Sequence, residues 1–206
     1  MVKKWKIIQQ DPVILEIEFD PVPQKLLNYI YKEEHFEQQS FQYLEVEKGR
    51  LVVDDGRLDA VKLAKLKKHF SSSFKFITKT FVDIDVLRFP LFRSFEKWYK
   101  ENQFDNKQVL NVTLDRPGFS QSFHLDNRLS MWAGSINLSD NESSTIFTTE
   151  DKNWISQGLD PSEYYYKASG KKFTGTFWIN TENNWHAVPL VKSDRRVIVC
   201  NQMLAT

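Results

Sequence analysis

The sequence predicts an α+β chain: helices in its first half support a second half built from many short strands. Two observations carry this. Apolar residues before residue 108 recur at helical spacing in several windows, each with a polar opposite face. From Gln108 onward the texture changes to brief alternating runs separated by turn clusters, namely Arg116-Pro117-Gly118, Asp140-Asn141-Glu142, Ser169-Gly170 and Thr181-Glu182-Asn183-Asn184. Many short strands at such spacing argue for a sandwich or a barrel.

Taken in order, residues 12–19 alternate, with Val13, Leu15, Ile17 and Phe19 against Ile14, Glu16 and Glu18, which predicts a half-buried strand. Pro21 and Pro23 end it. A helix is expected over 24–36 on Leu26, Leu27, Ile30 and Tyr31, then short strands over 41–53 around Gly49, then a turn at Asp54-Asp55-Gly56. A second helix is expected over 58–70 on Leu58, Val61, Leu63, Leu66 and Phe70. Its closing Lys65, Lys67, Lys68 and His69 suit the negative end of a helix dipole. That cluster reads as a solvated helix end before it reads as a nucleic-acid patch. His35 and His69 are expected at the surface. Ser71-Ser72-Ser73 reads as a loop, 74–87 as strand or irregular, and 91–103 as a third helix on Leu91, Phe92, Phe95, Trp98 and Tyr99. The strands expected afterwards cover 109–114, 120–126, 131–139, 145–149, 164–167, 172–180 and 195–203.

Composition narrows the function classes. The 206 residues fit one domain, and sixteen Phe and six Trp supply large surfaces to bury. Basic and acidic residues nearly cancel, 28 against 27, so no strong overall field favours nucleic acid or an anionic membrane. The single cysteine permits no intrachain disulfide, which fits a reducing compartment. The basic start, Met1-Val2-Lys3-Lys4-Trp5-Lys6, is followed by no long apolar region, and no stretch approaches the ~20 apolar residues of a membrane span. A cytoplasmic protein is expected.

The chemistry centres on Phe123-His124-Leu125-Asp126-Asn127-Arg128. In a strand, His124 and Asp126 share one face, and Phe123 and Leu125 take the other. An imidazole and a carboxylate converging inward are two thirds of a metal site. Trp185-His186-Ala187-Val188-Pro189 offers the third ligand, and two His with one carboxylate and open positions suit non-haem Fe(II). A His-x-Asp pair alone occurs by chance in many chains. Here Arg195 and Arg196 follow His186 and open the apolar run Val197-Ile198-Val199-Cys200.

That order of residues resembles the 2-oxoglutarate and Fe(II)-dependent dioxygenase superfamily, over roughly 109–204. The Asn after the Asp, the Ile136-Asn137-Leu138 segment and the nine-residue step from His186 to Arg195 resemble its prolyl-4-hydroxylase-like branch, including the compact bacterial and phage forms. Many relatives carry a Gly-Gly pair where this chain has Asn141-Glu142-Ser143-Ser144-Thr145. The resemblance implies a double-stranded β-helix, a cupin-like jelly roll, as the core of a single domain over 1–206, with 1–107 as support and 108–206 holding the metal site.

It further implies Fe(II) on His124, Asp126 and His186, with 2-oxoglutarate and O2 as cosubstrates. A basic residue at the start of the last strand would hold the far carboxylate of 2-oxoglutarate, since a planar guanidinium matches a carboxylate bidentately. Arg195 and Arg196 face opposite sides of that strand, so one of them enters the barrel, and the nine-residue step favours Arg195. Asn137 aligns approximately with a side chain that hydrogen-bonds 2-oxoglutarate in relatives, and it also suits a strand-end cap. Asn127 and Arg128 would rim the mouth, and Trp178 and Trp185 would line the pocket or pack in the core. The implied reaction is oxidation of a substrate C–H bond, with release of succinate and CO2. The prime substrate is unknown, a protein side chain or small metabolite being favoured over nucleic acid. The alternative is a non-catalytic jelly-roll binding or structural protein, which has no need of the whole set of His124, Asp126, His186 and Arg.

Overall fold

The alternating runs of the second half form strands that pair antiparallel, and the first half joins them in the same sheet. The structure is a computed structural model that describes residues 1–10, 13–38, 50–53, 60–85, 108–126, 130–148, 165–181 and 184–203. Its elements run β1 (Val2–Gln10), β2 (Val13–Phe19), α1 (Gln24–Ile30), a 3₁₀ turn (Glu33–His35), β3 (Phe36–Gln38), β4 (Arg50–Val53) and α2 (Ala60–Asp85). There follow β5 (Gln108–Asp115), β6 (Gln121–His124), β7 (Ser130–Asn137), β8 (Ile146–Thr148), β9 (Tyr166–Lys167), β10 (Thr174–Ile179), β11 (Trp185–Val188) and β12 (Arg195–Met203).

One sheet has the order β1-β2-β10-β7-β12-β5-β4-β3 and the other β6-β11-β8-β9. In the larger sheet β12 sits between β7 and β5, with Ile198 opposite both Ile136 and Val112. The first half supplies both flanks, β1 and β2 on one side and β4 and β3 on the other. The described part of 1–107 thus contributes strands as well as helices, as expected of it. β1 escaped the sequence reading because its Lys and Gln residues mask the alternation around Trp5 and Ile7.

Helix α2 corrects another expectation. The serines at 71–73, read as a loop, lie inside a helix that continues through 74–85, read as strand or irregular. Phe70, Phe74, Ile77 and Phe81 are all buried and recur at three- and four-residue steps, so tertiary packing on one face outweighs the weak helix propensity of serine. Thr78 and Thr80 bond back through their hydroxyls to the carbonyls of Phe74 and Phe76, at 3.1 and 2.9 Å, and so sit within the helix without orphaned oxygens.

The face of the larger sheet under α2 holds the main core. Trp132 and Ile136 project from β7 toward the helix, with Trp132 packed at a tilt against Phe74 and Phe81 at ring distances of 6.0 and 6.5 Å. The indole of Trp132 donates to Thr78 Oγ1 at 2.8 Å, which satisfies the one polar atom of a fully buried ring.

The helix expected over 24–36 ends at Ile30 and gives way to the 3₁₀ turn. His35, expected at the surface, is buried, with its Nδ1 3.4 Å from the Ile30 carbonyl and its ring against Tyr29. His69 is half-buried and its Nε2 faces the Asp20 carbonyl at 3.1 Å. The expected strands at 41–49, the turn at 54–56, the helix at 91–103, and Asn127 and Arg128 lie outside the described residues. Among the described residues no helix is long and apolar enough to cross a membrane.

This pairing generates a prediction. A fragment of residues 108–206 would lose β2 from β10, β4 from β5, and α2 from Trp132. Two open sheet edges and a bare apolar face favour association over folding. Expressed alone, the fragment should be insoluble or lack a cooperative melt by circular dichroism.

Candidate metal and anion site

The smaller sheet brings the two candidate imidazoles together by register. β11 pairs with β6 so that His186 stands opposite His124, and the ring centroids are 4.3 Å apart. Asp126 lies just past the end of β6. Ligand atoms of His124, Asp126 and His186 all fall within 4.8 Å of one another, and His186 Nε2 is 3.5 Å from Asp126 Oδ2. Strand alternation ends with β6 at His124, so Phe123 and Leu125 do not form the buried outer face expected of them. Both are half-buried, and Leu125 lines the same cavity as its two neighbours.

Two of the three candidate ligands, His186 and Asp126, have partners behind them. His186 Nδ1 lies 3.0 Å from the Asn184 carbonyl, an acceptor that fixes the proton on Nδ1 and turns the Nε2 lone pair toward Asp126. The Trp178 indole donates to Asp126 Oδ2 at 3.0 Å. Asn180 anchors the backbone there, donating to the carbonyls of Asp126 and Ser130 at 3.4 and 3.1 Å. The Trp178 ring also lies 4.5 Å from the His186 ring and 5.2 Å from Phe147, so aromatic carbon rather than water backs the cluster. Two imidazoles with one carboxylate, and no thiolate, form a donor set that fits Fe(II) or Mn(II).

The cluster opens onto a cavity of about 330 Å³, a volume suited to a small molecule. Ala133 and Ser135 of β7 keep it open, and Arg195 lines it from β12. Arg195 and Arg196 do separate to opposite faces of β12. Arg195 is buried in the cavity wall, while Arg196 is half-buried with its guanidinium 5.1 Å from the Tyr31 ring centre.

Asn137 corrects the approximate alignment. It is absent from the cavity wall, because its amide donates to the carbonyls of Ser169 and Thr174, at 2.7 and 3.2 Å, and its carbonyl accepts from Asn141. Those bonds tie the end of β7 to the loop before β10. Trp185 lies at the start of β11 and is half-buried, outside the cavity lining, whereas Trp178 lines it.

The sequence reading missed Arg50 and Asp115. Arg50 on β4, Asp115 on β5 and Arg195 on β12 lie opposite one another in a single rung of the larger sheet. Arg50 Nε and Nη2 donate to the two Asp115 oxygens at 2.7 and 3.0 Å, and Arg195 Nη1 donates to Oδ2 at 2.6 Å. Burial alone would raise the Asp115 carboxyl, but the Arg50 and Arg195 guanidiniums overcome it and hold the group below the ordinary carboxylate range. Burial pulls the Arg195 guanidinium below its ordinary value, opposed by Asp115 and reinforced by the like charge of Arg50. Nothing local in the sequence links three residues on three separate strands.

No family model and no curated relative matches the sequence. Solved structures do. A prolyl hydroxylase from Trichoplax adhaerens, in complex with a peptide fragment of the hypoxia inducible factor oxygen degradation domain, superimposes with a TM-score of 0.53 at 14% identity, over 87% of this chain and 75% of that one. A Pseudomonas putida prolyl-4-hydroxylase aligns at 11% identity with a TM-score of 0.46, over 79% and 76% of the two chains. A 2OG-Fe(II) oxygenase family protein from Burkholderia pseudomallei aligns at 16% with a TM-score of 0.32, over 46% and 44%. The two antiparallel sheets, with the helix packed on the larger, therefore have the fold of the Trichoplax prolyl hydroxylase.

Proposed function

We propose that the chain is a 2-oxoglutarate and Fe(II)-dependent oxygenase of the prolyl-4-hydroxylase-like branch, hydroxylating a substrate C–H bond and releasing succinate and CO2. One observation carries this reading: His124, Asp126 and His186 converge on a cavity whose wall also bears a buried guanidinium with an unpartnered Nε, that of Arg195. A metal centre and a carboxylate receptor around one small volume are what a chelating 2-oxo diacid requires. The two sheets are read as the halves of a double-stranded β-helix, with residues 1–107 completing its larger sheet in a single domain.

In this reading the three ligands would hold Fe(II), which would couple decarboxylation of 2-oxoglutarate to oxidation of the substrate by O2. The chain's own work is orientation. Asn184 fixes the His186 tautomer, Trp178 aims the Asp126 carboxylate, and Arg195 takes the far carboxylate of the cosubstrate. The aromatic wall of Trp178 and Phe147 excludes water from the reacting side. The substrate is a protein side chain or a small metabolite; the peptide held by the Trichoplax protein supports the first.

Two measurements test the reading. In calorimetric titration with Mn(II) as a stand-in, His186→Ala should lower metal affinity about tenfold or more, the scale on which loss of even a supporting group acts. Equal affinity in the two proteins would remove His186 from the site. In the Mn(II)-loaded protein, Arg195→Ala should weaken 2-oxoglutarate binding by about 3 kcal/mol, the scale of a broken buried charge pair, and leave metal affinity nearly unchanged. Arg196→Ala should do neither. The reverse pattern would put the register of β12 one residue out. Succinate release with iron, O2 and 2-oxoglutarate, screened against peptide and metabolite pools, separates the enzyme from a non-catalytic binding protein.

A further inference from the structure

The asparagine side chains divide into two groups. Asn28, Asn137, Asn141, Asn180 and Asn184 all use theirs in hydrogen bonds. Among the described residues Asn111 and Asn201 use theirs in none, and both line the cavity. Asn111 is exposed and Asn201 half-buried, so the pair stands where the cavity meets solvent. Both lie inside strands, β5 and β12, rather than in the turns that asparagine favours. Asparagine is depleted in strands, and here no hydrogen bond within the fold offsets that. Residues that weaken a strand at a cavity wall are the usual trade of stability for contact with a ligand.

Register sets the two side by side. Asn111 is opposite Val199 and Asn201 opposite Val109, so they are diagonal neighbours at about 7–8 Å, within reach of one ligand group. Asn201 is also opposite Ala133, and Ala133 is opposite Trp178, whose indole holds Asp126. The pair is therefore on the side of the candidate metal ligands. Arg195 starts β12 and Asn201 lies near its other end, about 20 Å away at the rise of a strand, too far for a five-carbon diacid to touch both. Among the described lining residues, charge is confined to Arg50, Arg195 and the His–Asp–His cluster, and the pair's neighbours Ala133, Ser135 and Val199 are neutral. A carboxamide offers a donor and an acceptor together and carries no charge. Two of them side by side match a neutral group that also presents both, and an amide is such a group. We propose that Asn111 and Asn201 form the subsite for the prime substrate and receive it through a neutral amide, one accepting its N–H and the other donating to its C=O. The proposal rests on the oxygenase reading only for calling that ligand the substrate.

The test is ligand-observed NMR titration of the metal-free protein with N-acetylalanine N-methylamide, with the corresponding methyl ester, which lacks one N–H, and with acetamide. The proteins are wild type, Asn111→Leu, Asn201→Leu and the double variant. Leucine keeps the shape of asparagine and removes its donor and acceptor. Each single variant should bind the diamide about fivefold more weakly than wild type, the scale of one hydrogen bond, and wild type should prefer the diamide to the ester by a similar factor. Melting temperatures of the variants should equal or exceed that of wild type, because the two side chains support nothing inside the fold. Weaker binding joined to a lowered melt shows a structural role and overturns the proposal. So does equal affinity in variants and wild type, the ester binding as tightly as the diamide, or neither amide binding wild type. Within the supporting pattern, binding of the diamide alone identifies a peptide group as the source of the amide, and binding of acetamide alone a free carboxamide. Mn(II) bound at the three ligands should then broaden the diamide signals with wild type and not with the double variant; no broadening in a protein that binds Mn(II) removes the subsite from the substrate's place. If Mn(II) and 2-oxoglutarate fail to bind while diamide binding still follows the two asparagines, the oxygenase reading falls and the amide subsite stands. If both bind and the diamide ignores the asparagines, the subsite falls alone.

Discussion

The buried carboxylate of Asp115 is the constraint on which both fold and site depend. It accepts two hydrogen bonds from Arg50 and one from Arg195, from strands on either side of its own. A one-residue slip of β4 or β12 against β5 would turn an arginine to the wrong face and leave a charge without its partner. Breaking a buried pair from one side costs about 3–5 kcal/mol, a large fraction of the stability of a domain. The rung therefore holds three strands in register while it holds the Arg195 head group at the cavity wall. Buried ion pairs are weak evidence for net stability, but here the geometry they specify sets a guanidinium in the cavity wall.

The division of labour between the two faces of the larger sheet follows from side-chain size. On β7 the bulky Trp132 and Ile136 enter the core with α2, while Ala133 and Ser135 line the cavity. On β12 Ile198 packs into that core, and Arg195 and Val199 line the cavity. Alternation along each strand thus writes a filled face and a hollow face into the same residues. The helix side is sealed by aromatic contacts such as Phe70 on Phe19 at 5.5 Å, which leaves the opposite side free to stay open.

These features differ in how far they could be read from the chain alone. The convergence of His124, Asp126 and His186, and the place of Arg195 rather than Arg196 in the cavity wall, were expected from residue chemistry and order, although Asp126 lies past the end of β6. The strands β2, β5, β7, β10 and β12 were legible because each is long enough to alternate. Helix α2 was misjudged at Ser71–Ser73, where local propensity points to a loop and only the buried row Phe70, Phe74, Ile77 and Phe81 points to a helix. Asn137 was misassigned because position in an alignment says nothing about which loop carbonyls already occupy an amide. Arg50 and Asp115 could not be found at all, since a rung across three strands leaves no periodic trace.

The candidate site is divided between two sheets, and this makes their connection a matter of geometry. His124 and His186 belong to the smaller sheet, while Arg195 belongs to the larger. Trp178 bridges them: its backbone pairs with Ala133 and Ile14 within the larger sheet, and its indole donates to Asp126 beyond β6 of the smaller. Trp178 and Arg195 are thus both referred to β7, one through β10 and the other through β12. Asp126 lies past the end of β6, so its carboxylate is referred to the ladders through the Trp178 indole, while Arg195 is carried on them directly. Groups carried on paired strands keep their spacing more closely than groups on loops. The spacing of these groups therefore depends on the ladder and the few side chains that hang from it, not on the sequence of the loops.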